Sequence, residues 1–246
     1  MTQPPLAPTP LVTEVERRLF LRQTLSLGAL TLLTGCDISD QDGVQKMLHA
    51  MSRWNDRAQA FLFQRQALAP TFAESDVVHD FRYNAFFPAA DVPQLSAADY
   101  RLQLSGLIAD KRPWTVEQIQ ALPQESQITR HVCVEGWSMI GKWGGPRLSE
   151  LLHRIGADLT AKYVGFQCAD GYSGSIDMAS ALHPQTILAL DFLGAPLTPP
   201  FGAPVRLRIP TKLGFKNPKS IVSLTVGNLY TGGYWEDQGY NWFSGS

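Results

Sequence analysis

Chemistry in this chain is concentrated around one cysteine. The segment 130–138 reads Arg130-His131-Val132-Cys133-Val134-Glu135-Gly136-Trp137-Ser138. Strand alternation points His131 and Cys133 to the same side, and Gly136 marks the strand's end, where a loop can open toward a ligand. A thiolate there is well placed to bind a metal. In its plainer role, a cysteine in a strand is a small buried hydrophobe. The other two cysteines, Cys36 and Cys168, form no CxxC pair with it, and no CxxCH is present, so zinc, iron–sulfur and attached haem lack their ligand spacing. An odd count leaves at least one thiol free for chemistry. No cluster of His, Asp and Glu stands at ligand spacing, so a second metal is unsupported. His131 and His183 are either groups supporting a site or satisfied structural histidines; His49 and His153 fall on helix surfaces.

The elements that must hold this segment come from a chain of 246 residues, 44% of them hydrophobic, long enough to bury one substantial core. With 21 basic and 22 acidic residues the formal net charge is −1, so no global field draws it to nucleic acid or an anionic bilayer, and partners must be recognised locally. Its 20 glycines and 17 prolines suit short strands joined by tight turns, and the expected class is a β-rich α+β domain. Over 44–69, Met47, Leu48, Met51, Trp54, Ala58, Phe61 and Leu62 recur at spacings of three and four, predicting one amphipathic helix that ends before Pro70 and packs this stripe against the outside of the domain. Alternation replaces the helical period at 102–106, and a short helix follows over 115–122 with Thr115 as its N-cap. Strand candidates are 127–134, 163–168, 173–177, 187–192, 205–209 and 220–226, with a helix over 148–155 between the first two.

The first forty residues read as an address. Glu16-Arg17-Arg18-Leu19-Phe20-Leu21-Arg22-Gln23, followed by an uncharged apolar run over 24–34, resembles a twin-arginine export signal. A helix rising ~1.5 Å per residue would carry that run across only about half of a ~30 Å hydrocarbon core, so it is no permanent span. Leu33-Thr34-Gly35-Cys36 is similar to a bacterial lipobox, in which Cys36 carries a lipid; in an ordinary cleaved signal Cys36 would be incidental. The twin-arginine pathway carries folded proteins, commonly because a cofactor was inserted beforehand. The expected organisation is a signal and lipobox over 1–36, a helix and linker over 37–75 and a catalytic domain over 76–246, exported to the periplasm and anchored to the inner membrane through Cys36.

Cys133-Val134-Glu135-Gly136-Trp137-Ser138-Met139 is followed by Trp143 and Gly145, then by Ala181-Leu182-His183-Pro184. Further on come Gly202-Ala203-Pro204-Val205-Arg206-Leu207-Arg208-Ile209-Pro210, Lys212, Gly214-Phe215-Lys216 and Lys219-Ser220-Ile221-Val222. In this order, over about 78–226, the chain resembles the sulfite oxidase family, in the bacterial branch that includes catalytic subunits of periplasmic methionine-sulfoxide reductases. The resemblance implies a mixed-sheet molybdopterin-binding domain and a molybdenum ion held by one pterin dithiolene, one cysteine thiolate, here Cys133, and oxo or hydroxo ligands. Soft thiolate suits a metal that cycles between oxidation states. By the same resemblance Asn84, Phe87, Pro88, Asn217, Pro218 and Lys219 contact the cofactor, and Cys168 either contacts it or fills space. Arg206 offers a planar fork for the pterin's phosphate and Lys219 a point charge. Arg208, Lys212 and Lys216 either join that set or are solvated charges. A family asparagine is replaced by Phe201.

Sulfite oxidases proper follow their ligand cysteine with an arginine-bearing segment and place another arginine near the position of Tyr83. Here Val134-Glu135-Gly136-Trp137-Ser138 follows the cysteine, so Tyr83 and Trp137 join Cys133 as catalytic candidates in a pocket suited to a neutral or mixed substrate. The resemblance implies oxygen-atom transfer on a small molecule, with reduction of a sulfoxide or N-oxide expected over oxidation of sulfite. Arg82 or Arg130, turned inward, would restore a basic pocket. Electrons must come from a separate haem-bearing or quinone-linked partner, since the chain carries no haem motif. Two rivals remain: a non-catalytic binding lipoprotein, and an enzyme that uses Cys133 as a thiol-redox centre.

Overall fold

A computed structural model describes residues 42–63, 67–85 and 88–245; Arg17, Arg18, Cys36 and Phe87 lie outside them. By contact density the chain divides into a unit of residues 1–51 and a unit of residues 52–246. The second carries every strand among the described residues, and its boundary falls inside the first described helix.

That helix, α1, spans Asp42–Leu62. It stops well short of Pro70 because the chain is then used differently: Thr71 bridges Thr129, and the Phe72 N–H donates to the Ile128 carbonyl at 3.1 Å. The expected core stripe is not core. No residue of α1 is buried, and Trp54 is 70% exposed. Its ties to the body run through polar groups instead, Asp56 Oδ1 accepting from the Phe243 N–H at 2.8 Å and Gln59 Oε1 from the Gly245 N–H at 3.4 Å.

The site rests on a long hairpin. Strand β1 is Gln103–Gly106, β2 is Gln124–Val132 and β3 is Ser138–Pro146, with β2 and β3 paired antiparallel from Gln124↔Pro146 to Val132↔Ser138. The sequence reading lacked β3, because Gly141, Gly144 and Gly145 erase its pattern. Those glycines serve close approach: a Cβ on Gly145 would lie 2.0 Å from the Leu188 carbonyl oxygen. The remaining strands are β4 Tyr163–Cys168, β5 Ser173–Asp177, β6 Ile187–Ala189, β7 Asp191–Phe192, β8 Ala195–Pro196, β9 Arg206–Arg208 and β10 Ile221–Gly227. They form sheets ordered β1-β10-β4-β5, with β1 and β10 parallel, and β2-β3-β7-β8, plus the pair β6-β9. The run expected as one strand over 187–192 is divided at Leu190, whose N–H donates to the Gly144 carbonyl at 2.8 Å. This mixed α+β architecture matches the expected class.

Among the described residues, four short α-helices complete the body: α2 Val116–Gln120, α3 Leu148–Arg154, α4 Met178–Ala181 and α5 Tyr234–Asp237. Thr115 caps α2 as expected, its hydroxyl accepting from the Gln118 N–H while the Gln118 side chain returns to the Thr115 N–H. Leu148, Leu151 and Leu152 of α3 pack with Ile119 of α2 and with Val164 and Leu224 of the mixed sheet in the main core. A smaller core gathers Phe81, Trp143, Ile187, Ala189, Phe192 and Leu197, and its Trp143 supports the site.

Candidate active site

Strand β2 ends one residue before Cys133, which opens the hairpin turn. The Cys133 N–H donates to the Trp137 carbonyl at 2.9 Å and the Gly136 N–H to the Cys133 carbonyl at 3.1 Å. Gly136 has φ +89°, a left-handed conformation that glycine adopts without strain. The turn leaves Cys133 6% exposed, with the Asn84 amide donating to its Sγ at 3.4 Å. Burial, then the Glu135 charge, pushes the thiol pKa up against that hydrogen bond. Trp137 Nε1 donates to Glu135 Oε2 at 2.8 Å, and the Arg82 guanidinium lies 5.3 Å from the Trp137 ring centre.

The second half of the site is β9 and the turn after it. Arg206 is buried, 4.8 Å over the Trp143 ring, and donates to the carbonyls of Phe201 at 3.0 Å and Asn217 at 3.2 Å. Arg208 is fully buried and donates to Thr129 Oγ1, the Arg130 carbonyl and Asn217 Oδ1. Burial pushes Arg206 down to about 10 and Arg208 to about 9. Lys219 donates to the carbonyls of Asn84 and Pro200, both at 2.9 Å, and burial followed by the Arg206 charge lowers it to about 7. His131 is held neutral, its pKa driven well below 6.5 by burial and then by Arg208, Arg206 and Lys219. The turn can approach His131 because residue 214 is glycine: a Cβ there would meet His131 Nε2 at 2.7 Å.

A C-terminal strap forms the outer wall. Lys216 pairs with Glu236 of α5, both side chains being almost fully buried, and this holds α5 against the turn. Trp235 and Tyr240 then stand at the mouth, ring centres 5.0 Å apart, with Phe215 5.8 Å from Tyr240. Together these groups line a cavity of about 280 Å³.

Of the expected site residues, Asn84, Cys133, Trp137, Arg206, Asn217, Pro218 and Lys219 line this cavity. Tyr83 sits at its edge, its ring centre 4.8 Å from Lys219 Nζ. Pro88 is exposed and Cys168 is buried in the main core, so neither is brought to the cavity wall. The Asn217 side chain is used within the fold: Oδ1 accepts from the Ile209 N–H at 2.6 Å and Nδ2 donates to the Leu213 carbonyl at 3.0 Å. Arg208, Lys212 and Lys216 are not solvated, since all three are at most 2% exposed. His183 is structural, with Nε2 3.1 Å from the Ala67 carbonyl and Nδ1 accepting from the Gln185 N–H. Arg130 turns away to the Phe72 ring. Sequence reasoning missed Phe81, Asp170, Tyr172, Trp235 and Tyr240 in the lining; the signal available was the density of aromatic residues over 230–243.

The fit to an anionic cofactor can be tested on the charges. Arg206, Arg208 and Lys219 form no ion pair among the described residues, and Arg206 Nε and His131 Nδ1 are buried without a partner. Sequestering a cation without a counter-charge costs several kcal/mol, which an anion bound against Arg206 and Lys219 would offset. A cysteine sulfur in the same cavity as those cations suits molybdopterin, whose metal is soft-ligated and whose pterin carries a phosphate.

The fold and this site define a molybdopterin-binding oxidoreductase. Residues 89–235 match the oxidoreductase molybdopterin binding domain, and the chain belongs to that family. It is an enzyme with molybdopterin as its cofactor. Over 230 residues, 94% of this chain and 88% of the relative, it is 54% identical to a putative protein-methionine-sulfoxide reductase subunit, YedZ1, of Azospira oryzae. The sulfane dehydrogenase SoxCD of Paracoccus pantotrophus shares the fold, with a TM-score of 0.54 at 22% identity over 57% of this chain; the match spans only 41% of that chain.

Proposed function

We propose that this enzyme reduces sulfoxides, with methionine sulfoxide in proteins as the substrate class, using electrons delivered by a separate haem-bearing or quinone-linked subunit. The observation that carries the reading is the make-up of the cavity mouth: Trp137, Phe215, Trp235 and Tyr240 with the carboxylates of Glu135 and Asp170. A sulfite dianion would meet those carboxylates, while a neutral sulfoxide brings a dipole and an apolar body to aromatic walls. The reductase relative supports the same substrate, and its description as a subunit supports a separate electron donor.

When bound, molybdopterin supplies two-electron oxygen-atom exchange, by which a sulfoxide, two electrons and two protons become a sulfide and water. Cys133 Sγ would bind the metal, and Asn84 Nδ2 orients that sulfur. Arg206 and Lys219 would neutralise the phosphate, with Pro218 and the Asn217 main chain beside them. Burial, then the Asp170 and Asp91 charges, raises the Tyr83 pKa, so its hydroxyl remains a hydrogen-bond donor, as an ordinary tyrosine is at neutral pH. Trp137, tied to Glu135, presents its ring to the cavity and excludes water. In this reading the folded enzyme leaves the cytoplasm through a twin-arginine signal at Arg17-Arg18 and is held to the inner membrane by a lipid on Cys36.

Arg82 at the mouth favours a second reading, sulfite oxidation. With an artificial electron donor or acceptor, we expect sulfoxide reduction about a hundredfold faster than sulfite oxidation, since the Glu135 and Asp170 carboxylates repel a dianion at the mouth. Fast sulfite oxidation that collapses in Arg82→Ala would replace the reductase reading.

A further inference from the structure

Helix α1 carries an apolar surface that the body leaves uncovered. Trp54, Phe61 and Leu62 are 70%, 88% and 73% exposed, and with Ala58 they share one helical face. Met51, Leu48 and Met47 continue the same spacing and are also exposed. Asp56 and Gln59, which tie the helix to the backbone of Phe243 and Gly245, lie on another face. Lys46, Arg53 and Arg57 run along one edge of the stripe, exposed and in no ion pair among the described residues. Beside the last turn, a cavity of about 880 Å³ lined in part by Leu62, Phe63, Leu68, Phe72 and Phe243 extends the apolar surface.

We propose that this face lies on an anionic phospholipid surface, the stripe entering the boundary between headgroups and acyl chains while Lys46, Arg53 and Arg57 meet lipid phosphates. The composition favours lipid over a protein partner. Flexible Met and Leu with Trp and Phe beside a continuous basic edge need no shaped counterpart, whereas a protein interface would need fixed polar partners. Among the described residues no helix is long and apolar enough to cross a membrane, so α1 lies along the surface. The distance also fits: Cys36 precedes Asp42 by six residues, a reach of at most ~20 Å. The helix therefore adds a second contact to the lipid proposed at Cys36, and stable anchoring takes two such signals. The inference does not depend on the substrate or on lipidation.

The test uses the cofactor-loaded chain from residue 36 onward with serine in place of Cys36, so that no lipid is attached. Mixed with vesicles of phosphatidylglycerol and phosphatidylcholine at low salt, it should co-sediment. Binding should fall about tenfold or more in the Trp54→Ser/Phe61→Ser variant. It should fall similarly in Arg53→Glu/Arg57→Glu, in high salt and on pure phosphatidylcholine. Molybdenum content should stay at the parent level in both variants, which establishes folding whether or not the enzyme reduces sulfoxides. Failure of the parent to bind anionic vesicles would overturn the proposal and hand the face to a protein partner. Equal binding by both variants would overturn it as well.

Discussion

Arg206 and Lys219 give their donors to neutral backbone carbonyls while the Cys133 sulfur accepts from the Asn84 amide in the same cavity, and this separates two jobs by residue. Cys133→Ser should keep the pterin, because its phosphate partners remain, yet lose turnover and bind molybdenum less firmly through the dithiolene alone. Arg206→Met should lose pterin and metal together, with cofactor affinity down about tenfold or more for a charged hydrogen bond worth ~1.5–3 kcal/mol. Metal analysis and fluorescence of the released, oxidised pterin report both. Stoichiometric molybdenum and full turnover in Cys133→Ser would remove the ligand assignment. Cys133, Arg206 and Lys219 were legible because the resemblance runs through their own segments. Arg208 and Lys216 were not, since a lone basic residue reads as solvated until its partners are known. Those partners are remote, Thr129 for Arg208 and Glu236 for Lys216.

Among the elements, α5 is tied to the body by a buried ion pair. Its four residues cannot hold a helix by themselves, and the buried Lys216–Glu236 pair fastens it to the turn that carries Asn217 and Lys219. Removing one partner of a buried pair strands the other charge, so Glu236→Ala should lower stability by about 3–5 kcal/mol in urea unfolding. It should also raise KM more than it lowers kcat, since Trp235 and Tyr240 move with the strap; unchanged stability and KM would mean that the strap is held elsewhere. The hairpin shows the converse limit of sequence reading. Strand β2 alternates and was expected, whereas β3 spends three positions on glycines that serve its neighbours, Asp191, Phe192 and Leu188, and so carries no pattern of its own. Helix α1 was visible by period, but period does not reveal which face meets the body.

At the scale of the molecule, the cavity draws its wall from the β2 hairpin, from β9 with the turn after it and from the strap, segments far apart in the chain, so the site is complete only in the folded protein that the proposed twin-arginine pathway would carry. Replacing Arg17 and Arg18 by Lys should leave a folded, cofactor-loaded precursor in the cytoplasm, because the pathway reads paired guanidinium groups and not charge alone. Cell fractionation with molybdenum analysis measures this, and normal periplasmic accumulation of the double variant would remove the premise.

The sequence by itself determined the class of domain, the metal-ligand candidate and the basic segment that shares its cavity, because each resides in a contiguous stretch whose residue types carry the chemistry. Only the tertiary structure decided which groups meet. It withdrew Cys168 and Pro88 from the cavity, turned the Asn217 side chain inward and brought Trp235 and Tyr240 to the mouth. It also left the α1 stripe in solvent. The physical reason is that burial and hydrogen-bond partnership depend on residues tens of positions apart, and local spacing does not encode them.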